Sequence, residues 1–434
     1  MNRVIRVEHL ARVEGHGGIT VELDRDTVRG VQFDVFEGLR LIEGLVKGRS
    51  FEDVPQIVSR ICAICSVAHA VTCIKAIENA FDVIPSEQTV RLRDLLFRGE
   101  NIESHALHLF LLALPDYLGF PSATAMAAEH RNVVELGLRL KKLGNTIQET
   151  IGGRAIHPVN CVVGGFGGAP SVNQLTRLRT DLQRGLRDCE RAIDLWASLA
   201  PTDFCHSDTV YAALTPPSGY GYYQGSEITM LTRGIPRVMP AEELHLHNRE
   251  TTITHSHARH SSFDGRPFMV GALGRLAVNG EKLAGGAVTA MQQLGLELPS
   301  DNPMDNNKAQ VVELMFDIEH ALAEVDSLLN EGLRRERATS VRPREGMGLA
   351  VTEAPRGLLS YRLGFDGEGR VTSANIITPT AFNASSVEDH FAHAVTQSPD
   401  KSTAALTHRL EMIARAYDPC ISCSVHVVQS QRDT

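Results

Sequence analysis

Cysteine spacing is the first feature of this chain that suggests chemistry. Two Cys-x-x-Cys pairs, Cys62-Ala-Ile-Cys65 and Cys420-Ile-Ser-Cys423, lie near opposite ends of 434 residues. Each pair can offer two thiolates to one metal, and soft thiolates select soft or borderline ions. Structural zinc sites usually close short loops within one small module, so the wide separation is unusual for zinc. On spacing alone, zinc and a thiol redox motif both stay open. A histidine follows each pair. His69 stands four residues after Cys65, on the same face of a helix expected to run to about Phe81, and His426 stands three after Cys423. Such a histidine can hydrogen-bond the thiolate or its neighbours, although seen alone it would read as a core residue. The scattered Cys73, Cys161, Cys189 and Cys205 read as small buried hydrophobes.

Arg60-Ile-Cys62-Ala-Ile-Cys65-Ser-Val-Ala-His69 resembles the first signature of nickel–iron hydrogenase large subunits, and Asp418-Pro-Cys420-Ile-Ser-Cys423-Ser-Val-His426 resembles the second. The resemblance spans about residue 8 to residue 426 and implies that family's fold. It implies reversible heterolytic cleavage of H2 at a nickel–iron centre whose iron carries cyanide and carbon monoxide. By the same resemblance, all four thiolates hold nickel, with Cys62 and Cys420 terminal and Cys65 and Cys423 bridging to iron. Such chemistry needs an open metal position and a base close enough to take the proton. Arg12-Val-Glu14-Gly-His16 resembles the motif whose glutamate exchanges protons with a bridging thiolate, which makes Glu14 the expected relay. The segment Arg40 to Arg49 resembles one whose glutamate, here Glu43, binds magnesium together with His426. Asn375 to Thr380 resembles the stretch that adds a backbone carbonyl, that of Ile376. Ala354-Pro355-Arg356-Gly357 resembles the motif whose arginine hangs over the open metal position, where a guanidinium could stabilise developing charge. Asp116 and Asp418 match acidic positions that hold this arginine or line the cavity, and His157-Pro158 and Gly164-Gly165 fit the pattern as architecture. Position 63 departs from the family, with Ala where Gly is most common. Residues Val427 to Thr434 extend past the histidine after which large subunits are commonly trimmed.

The stretch from Ser104 to Asp116 is similar to that of the soluble multisubunit group, which pairs the large subunit with an iron–sulfur small subunit and flavin subunits using NAD or NADP. This chain has no further cysteine pattern for an iron–sulfur cluster and no Gly-rich dinucleotide fingerprint, so electrons are expected to leave through a partner. Two rivals are a metal-free relative such as the respiratory complex I core, which would lack the cysteine set, and a structural zinc protein, which would need neither Glu14, Glu43 nor Arg356. His245, His247, His255, His257 and His260 form a histidine-rich stretch with no carboxylate or cysteine in a recognisable spacing, and it reads as a solvated or partner-facing loop.

Composition narrows the partners. A formal net charge of -9 and a pI near 6.1 argue against nucleic acid or an anionic membrane surface. Aromatic content of 5% with one Trp gives no support to base stacking. No apolar run reaches the roughly 20 residues of a membrane helix, and the N-terminus lacks a signal-peptide core, so a soluble cytoplasmic chain without a membrane span is expected.

These residues need elements to hold them. Alternation such as Ile19-Thr-Val-Glu-Leu23 predicts antiparallel strands over residues 1–38. Leu39, Ile42, Leu45 and Val46 predict a helical face, followed by short helical pieces from Phe51 to Ile61. Long helices are expected from Ser86 to about Leu114, from about Thr124 to about Ile151, from the capping box Ser171-Val-Asn-Gln174 through Trp196, and from about Asn307 to Leu333. Residues 346–380 return to strand, with Leu359–Leu363 and Val371–Ile377 joined through Asp366-Gly-Glu-Gly369. A last helix is expected from Ser385, breaking near Pro399 and resuming to Ala416. The whole reads as one α+β unit over 1–434. It has a β-rich part (1–38), a mainly helical core (39–345), a hairpin with C-terminal helix and second cysteine pair (346–426), and a tail (427–434).

Overall fold

The computed structural model describes residues 2–25, 27–37 and 41–424. Its N-terminal part is the antiparallel sheet that the alternation predicts, with β2 (Gly17–Asp24) between β1 (Asn2–Val7) and β3 (Thr27–Val35). Ile19 sits opposite Val7 and Phe33, and Ile19, Val21 and Phe33 are buried. The short helix Ile42–Val46 buries Val46 but leaves Leu45 exposed, so its apolar face is narrower than expected; Leu39 lies outside the described residues.

Helix α1 (Ser66–Phe81) starts directly after Cys65 and is buried on nearly every side, as befits a helix apolar all round. Helix α2 (Glu87–Leu107) begins where Ser86 accepts the Thr89 N–H. The helical path continues to Leu118 through a π turn over His108–Ala113. Pro115 lacks the N–H that would bond back one turn, and the backbone widens just before it. The single helix expected over 124–151 is two, Ala123–Ala127 and α3 (Arg131–Gly152). Helix α3 then runs close along α2. A Cβ on Gly144 would stand 2.4 Å from the Glu103 nitrogen and the Gly99 oxygen. Helix α4 (Val172–Ala197) shows both bonds of the predicted capping box and buries Leu175, Leu178, Leu182, Cys189, Ile193 and Trp196. Helix α5 (Asn306–Glu331) packs against α4 and α2.

The middle of the chain is not only helical. Strands β4 (Tyr211–Thr215), β5 (Glu227–Thr232) and β6 (Ile235–Pro240) form a sheet, and β7 (Asn248–Thr251) pairs with β8 (His260–Phe263). The signal for β5 and β6 was present: Arg233-Gly234 is a two-residue loop with both φ positive, 49° and 75°, and such loops join hairpins. Burial on both faces masks any alternation in β4 and β5.

Towards the C-terminus, β9 (Gly346–Ala354), β10 (Gly357–Phe365) and β11 (Val371–Ile377) form the third sheet, as the hairpin signal predicts. Helix α6 (Pro379–Gln397) begins at Pro379 rather than Ser385. The cue is proline at the first helical position; Ser385 and Ser386 instead hydrogen-bond the Ser261 carbonyl and the Tyr417 hydroxyl. Helix α7 (Thr403–Ala416) then leads to Cys420. Among the described residues, no helix is long and apolar enough to cross a membrane.

Candidate metal centre

Cys62 ends a 3-10 turn and Cys65 occupies the position before α1, with its N–H donating to the Cys62 sulfur at 3.3 Å. The exposed N–H groups that begin α1 are met by Glu100, which accepts from Val67 at 2.6 Å and Ala68 at 3.0 Å. At the other end of the chain, Cys420 is held by its N–H to the Thr380 hydroxyl at 2.9 Å, and the 3-10 turn Ile421–Cys423 follows. Glu14 pairs with Cys420 as an isolated parallel bridge through Ile421 N–H to the Glu14 carbonyl, 3.0 Å. Gly15 makes this contact possible. Its φ is 86°, and a Cβ there would lie 2.8 Å from that of Ile421.

The two cysteine pairs therefore meet. Cys62 and Cys420 sulfurs are 3.3 Å apart, Cys65 and Cys423 sulfurs are 3.5 Å apart, and those of Cys420 and Cys423 are paired. All four lie within 4.8 Å of one another and are buried. The donor set fits a soft or borderline metal. Cys62 is shifted down, first by the hydrogen bond from Cys65 and then, against burial, by the Arg356 charge, while burial pushes Cys65 up. Ala63 is exposed, so the extra methyl group meets solvent rather than the site.

Arg356 occupies the two-residue turn between β9 and β10, where Ala354 pairs with Gly357. Its Nε donates to Asp418 at 3.1 Å, and its two Nη atoms are buried without a partner among the described residues. Two buried guanidinium nitrogens left unmatched beside a thiolate cluster are what a bound group on that cluster would satisfy. Asp418 in turn accepts from Gln310 at 3.1 Å.

Several expectations need correction. Glu14 reaches Cys420, not a sulfur of the expected bridging positions 65 or 423: its Oε2 accepts from the Cys420 thiol at 3.3 Å and from Ser422 N–H at 3.0 Å, and its Oε1 accepts from the Ser422 hydroxyl. His69 places Nδ1 against the Tyr361 hydroxyl at 2.6 Å rather than on a thiolate, and burial lowers it to about 3. Asp116 does not hold Arg356; it pairs with Arg415 at 2.6 Å and with Arg12, tying the N-terminal segment to α7. Glu388 supplies the histidine-rich stretch with the carboxylate that spacing did not show. Glu43 is brought to Ile376, whose N–H it accepts at 2.8 Å. Arg40, His426 and the tail 427–434 lie outside the described residues. The scattered cysteines are buried as expected, and burial pushes their thiols up, Cys205 to about 12.

Comparison with known proteins places this geometry. The family described as nickel-dependent hydrogenase matches residues 40–142 and 220–426, and one described as HoxL-like matches residues 4–37. The chain is similar to sulfhydrogenase 1 subunit alpha of Pyrococcus furiosus, 38% identical over 98% of both chains. It is also similar to sulfhydrogenase 2 subunit alpha of that organism, 36% identical over 98% of this chain and 100% of the relative. In fold it matches an NAD+-reducing [NiFe]-hydrogenase in the H2-reduced state, with TM-score 0.86 and 23% identity, covering 98% of this chain and 99% of that one. An H2-activated [NiFeSe]-hydrogenase of Dm. baculatum matches with TM-score 0.81 and 19% identity, covering 98% and 100%. The chain belongs to the nickel-dependent hydrogenase large-subunit family and is an oxidoreductase of that class.

Proposed function

We propose that the chain cleaves H2 reversibly and heterolytically at a nickel–iron centre held by Cys62, Cys65, Cys420 and Cys423. The observation that carries this reading is the meeting of four buried sulfurs from opposite ends of the chain within 4.8 Å. When bound, a centre of this kind, with cyanide and carbon monoxide on its iron, would supply the Lewis-acid metal that polarises H2. Cys62 and Cys420 would hold nickel alone, and Cys65 and Cys423 would hold it together with iron. Glu14, in contact with the Cys420 sulfur, takes the proton from it, and the Ser422 hydroxyl and N–H hold the carboxylate in place. Arg356 keeps a fixed positive charge beside Cys62 and Cys65, anchored by Asp418, and stabilises charge that develops during cleavage. Asp116 acts at a distance by fixing Arg12 and Arg415. His69 supports the site from α1, its N–H on the Cys65 carbonyl and its ring on Tyr361.

Glu43, the Ile376 carbonyl and His426 are the proposed magnesium ligands, supported by the contact between Glu43 and Ile376. Residues 1–434 act as one catalytic unit. Electrons leave through an iron–sulfur small subunit and flavin subunits to NAD or NADP, a reading supported by relatives that are alpha subunits and by an NAD+-reducing structural relative.

Metal analysis and H2-dependent NAD(P)+ reduction of the purified complex test this. Wild type is expected to hold nickel and iron in equal amounts, and Cys65→Ser to lose both metals and all turnover. Turnover retained by Cys65→Ser would overturn the assignment.

A further inference from the structure

Away from the four sulfurs, three segments remote in sequence assemble a second set of ligand-type side chains. His255 follows β7, His260 opens β8, and Glu388 stands in the middle of α6. One ligand atom from each lies within 4.8 Å of the others. His255 Nε2 is 3.0 Å from Glu388 Oε1, and His260 Nδ1 is 3.6 Å from Glu388 Oε2. Donors placed 2.0–2.1 Å from a tetrahedral zinc ion stand about 3.4 Å from one another. The two spacings to Glu388 bracket that value.

His260 supplies an independent observation. It is 8% exposed, and its Nε2 is buried with no partner among the described residues. Its Nδ1 faces Glu388 from 3.6 Å, beyond hydrogen-bond length. Nδ1 is the nitrogen that faces the carboxylate, and a cation shared with Glu388 would bridge the two at that spacing. The carboxylate is already oriented, because Glu388 Oε1 accepts the Phe33 N–H of β3 at 2.8 Å, the kind of outer contact that fixes metal ligands. His257 is not part of the set: its N–H donates to the Val35 carbonyl and its Nδ1 meets the Glu37 carbonyl.

We propose that His255, His260 and Glu388 bind a divalent cation of the zinc class, with water in the fourth position. Two imidazoles and one carboxylate suit such an ion, and the half-exposed His255 and Glu388 leave it open to solvent. The site clamps β3, the segment between β7 and β8, and α6 together. Helix α6 also carries Thr380, which holds the Cys420 N–H about 12 Å along the axis from Glu388. The clamp therefore stiffens one wall of the sulfur cluster without touching it.

The test uses the purified hydrogenase complex, stripped of loosely held metal by a chelator and titrated with zinc chloride, with nickel and iron measured alongside. Wild type is expected to take up one zinc per chain. Glu388→Gln, which keeps an acceptor for Phe33, and His255→Ala, at a half-exposed position, are each expected to raise the Kd by more than 100-fold while nickel and iron contents hold. That exceeds the 10–100-fold cost of losing an outer contact of a metal site. His257→Gln should bind zinc as wild type does. Cobalt(II) in place of zinc should give the visible absorption of a four-coordinate site, lost in His255→Ala. No uptake by wild type, or equal uptake by wild type, Glu388→Gln and His255→Ala, overturns the proposal.

Discussion

Among the described residues the Glu14 carboxylate is the acid in contact with a cluster sulfur, and Ser422 holds both of its oxygens. A glutamine there preserves size and can still accept from Ser422, but it cannot carry a proton. Glu14→Gln should therefore retain nickel and iron and lose H2-dependent dye reduction by about 10²–10⁴-fold, the usual contribution of a positioned acid or base. Undiminished turnover would remove Glu14 from the proton path. Glu100 shows how a residue near such a site escapes a motif reading. It sits inside α2, far in sequence from either cysteine pair, yet its carboxylate meets the first N–H groups of α1. Burial pushes that carboxyl up against the opposing effect of those bonds.

Each group at the centre is aimed by the end of an element. Cys65 precedes α1, Arg356 sits at the β9–β10 turn, and Thr380 stands in the first turn of α6. The seating of α1 on the C-terminal sheet therefore governs the cluster. A Cβ on Gly348 would stand 1.9 Å from the Ala76 carbonyl oxygen and 2.8 Å from the Ala80 nitrogen, so only glycine allows that approach. Gly348→Ala should destabilise the protein by about 1–3 kcal/mol, the range for overpacked cores, read as a lower urea midpoint. An unchanged midpoint would mean that helix and sheet separate freely. At this scale the sequence was most legible where local rules decide, as at the Ser171 capping box and the Ser86 cap. It was least legible over β4 and β5, where burial on both faces erased the alternation.

Across the whole molecule, acid stability depends on histidines kept neutral inside. Burial lowers His69 and His390 to about 3 and His320 to about 4, from an ordinary 6.5. The unfolded chain takes up these protons first as pH falls. Their contribution is complete above about 6.5 and is lost on acidification towards 3–4. Glu353 works the other way: burial raises it to about 7, despite Arg275, so its contribution is present at low pH and lost as pH rises through 7. These histidines set the expected direction, a thermal midpoint lower at pH 5 than at pH 7. His320→Gln, at a half-buried position, should flatten that difference. A higher midpoint at pH 5 would contradict the balance.

The amino-acid sequence determined the ligand chemistry and the local geometry that presents it. Two Cys-x-x-Cys pairs, the helix after Cys65, the hairpin around Asp366 to Gly369 and the N-terminal strands all follow from short-range rules. Only the tertiary structure decided which groups touch: Glu14 with Cys420, Asp116 with Arg415, His69 with Tyr361, and Glu388 with His255 and His260. The reason is physical. Residue spacing governs backbone hydrogen bonds over a few positions, whereas contacts between distant segments depend on how whole helices and sheets bury their apolar faces against one another.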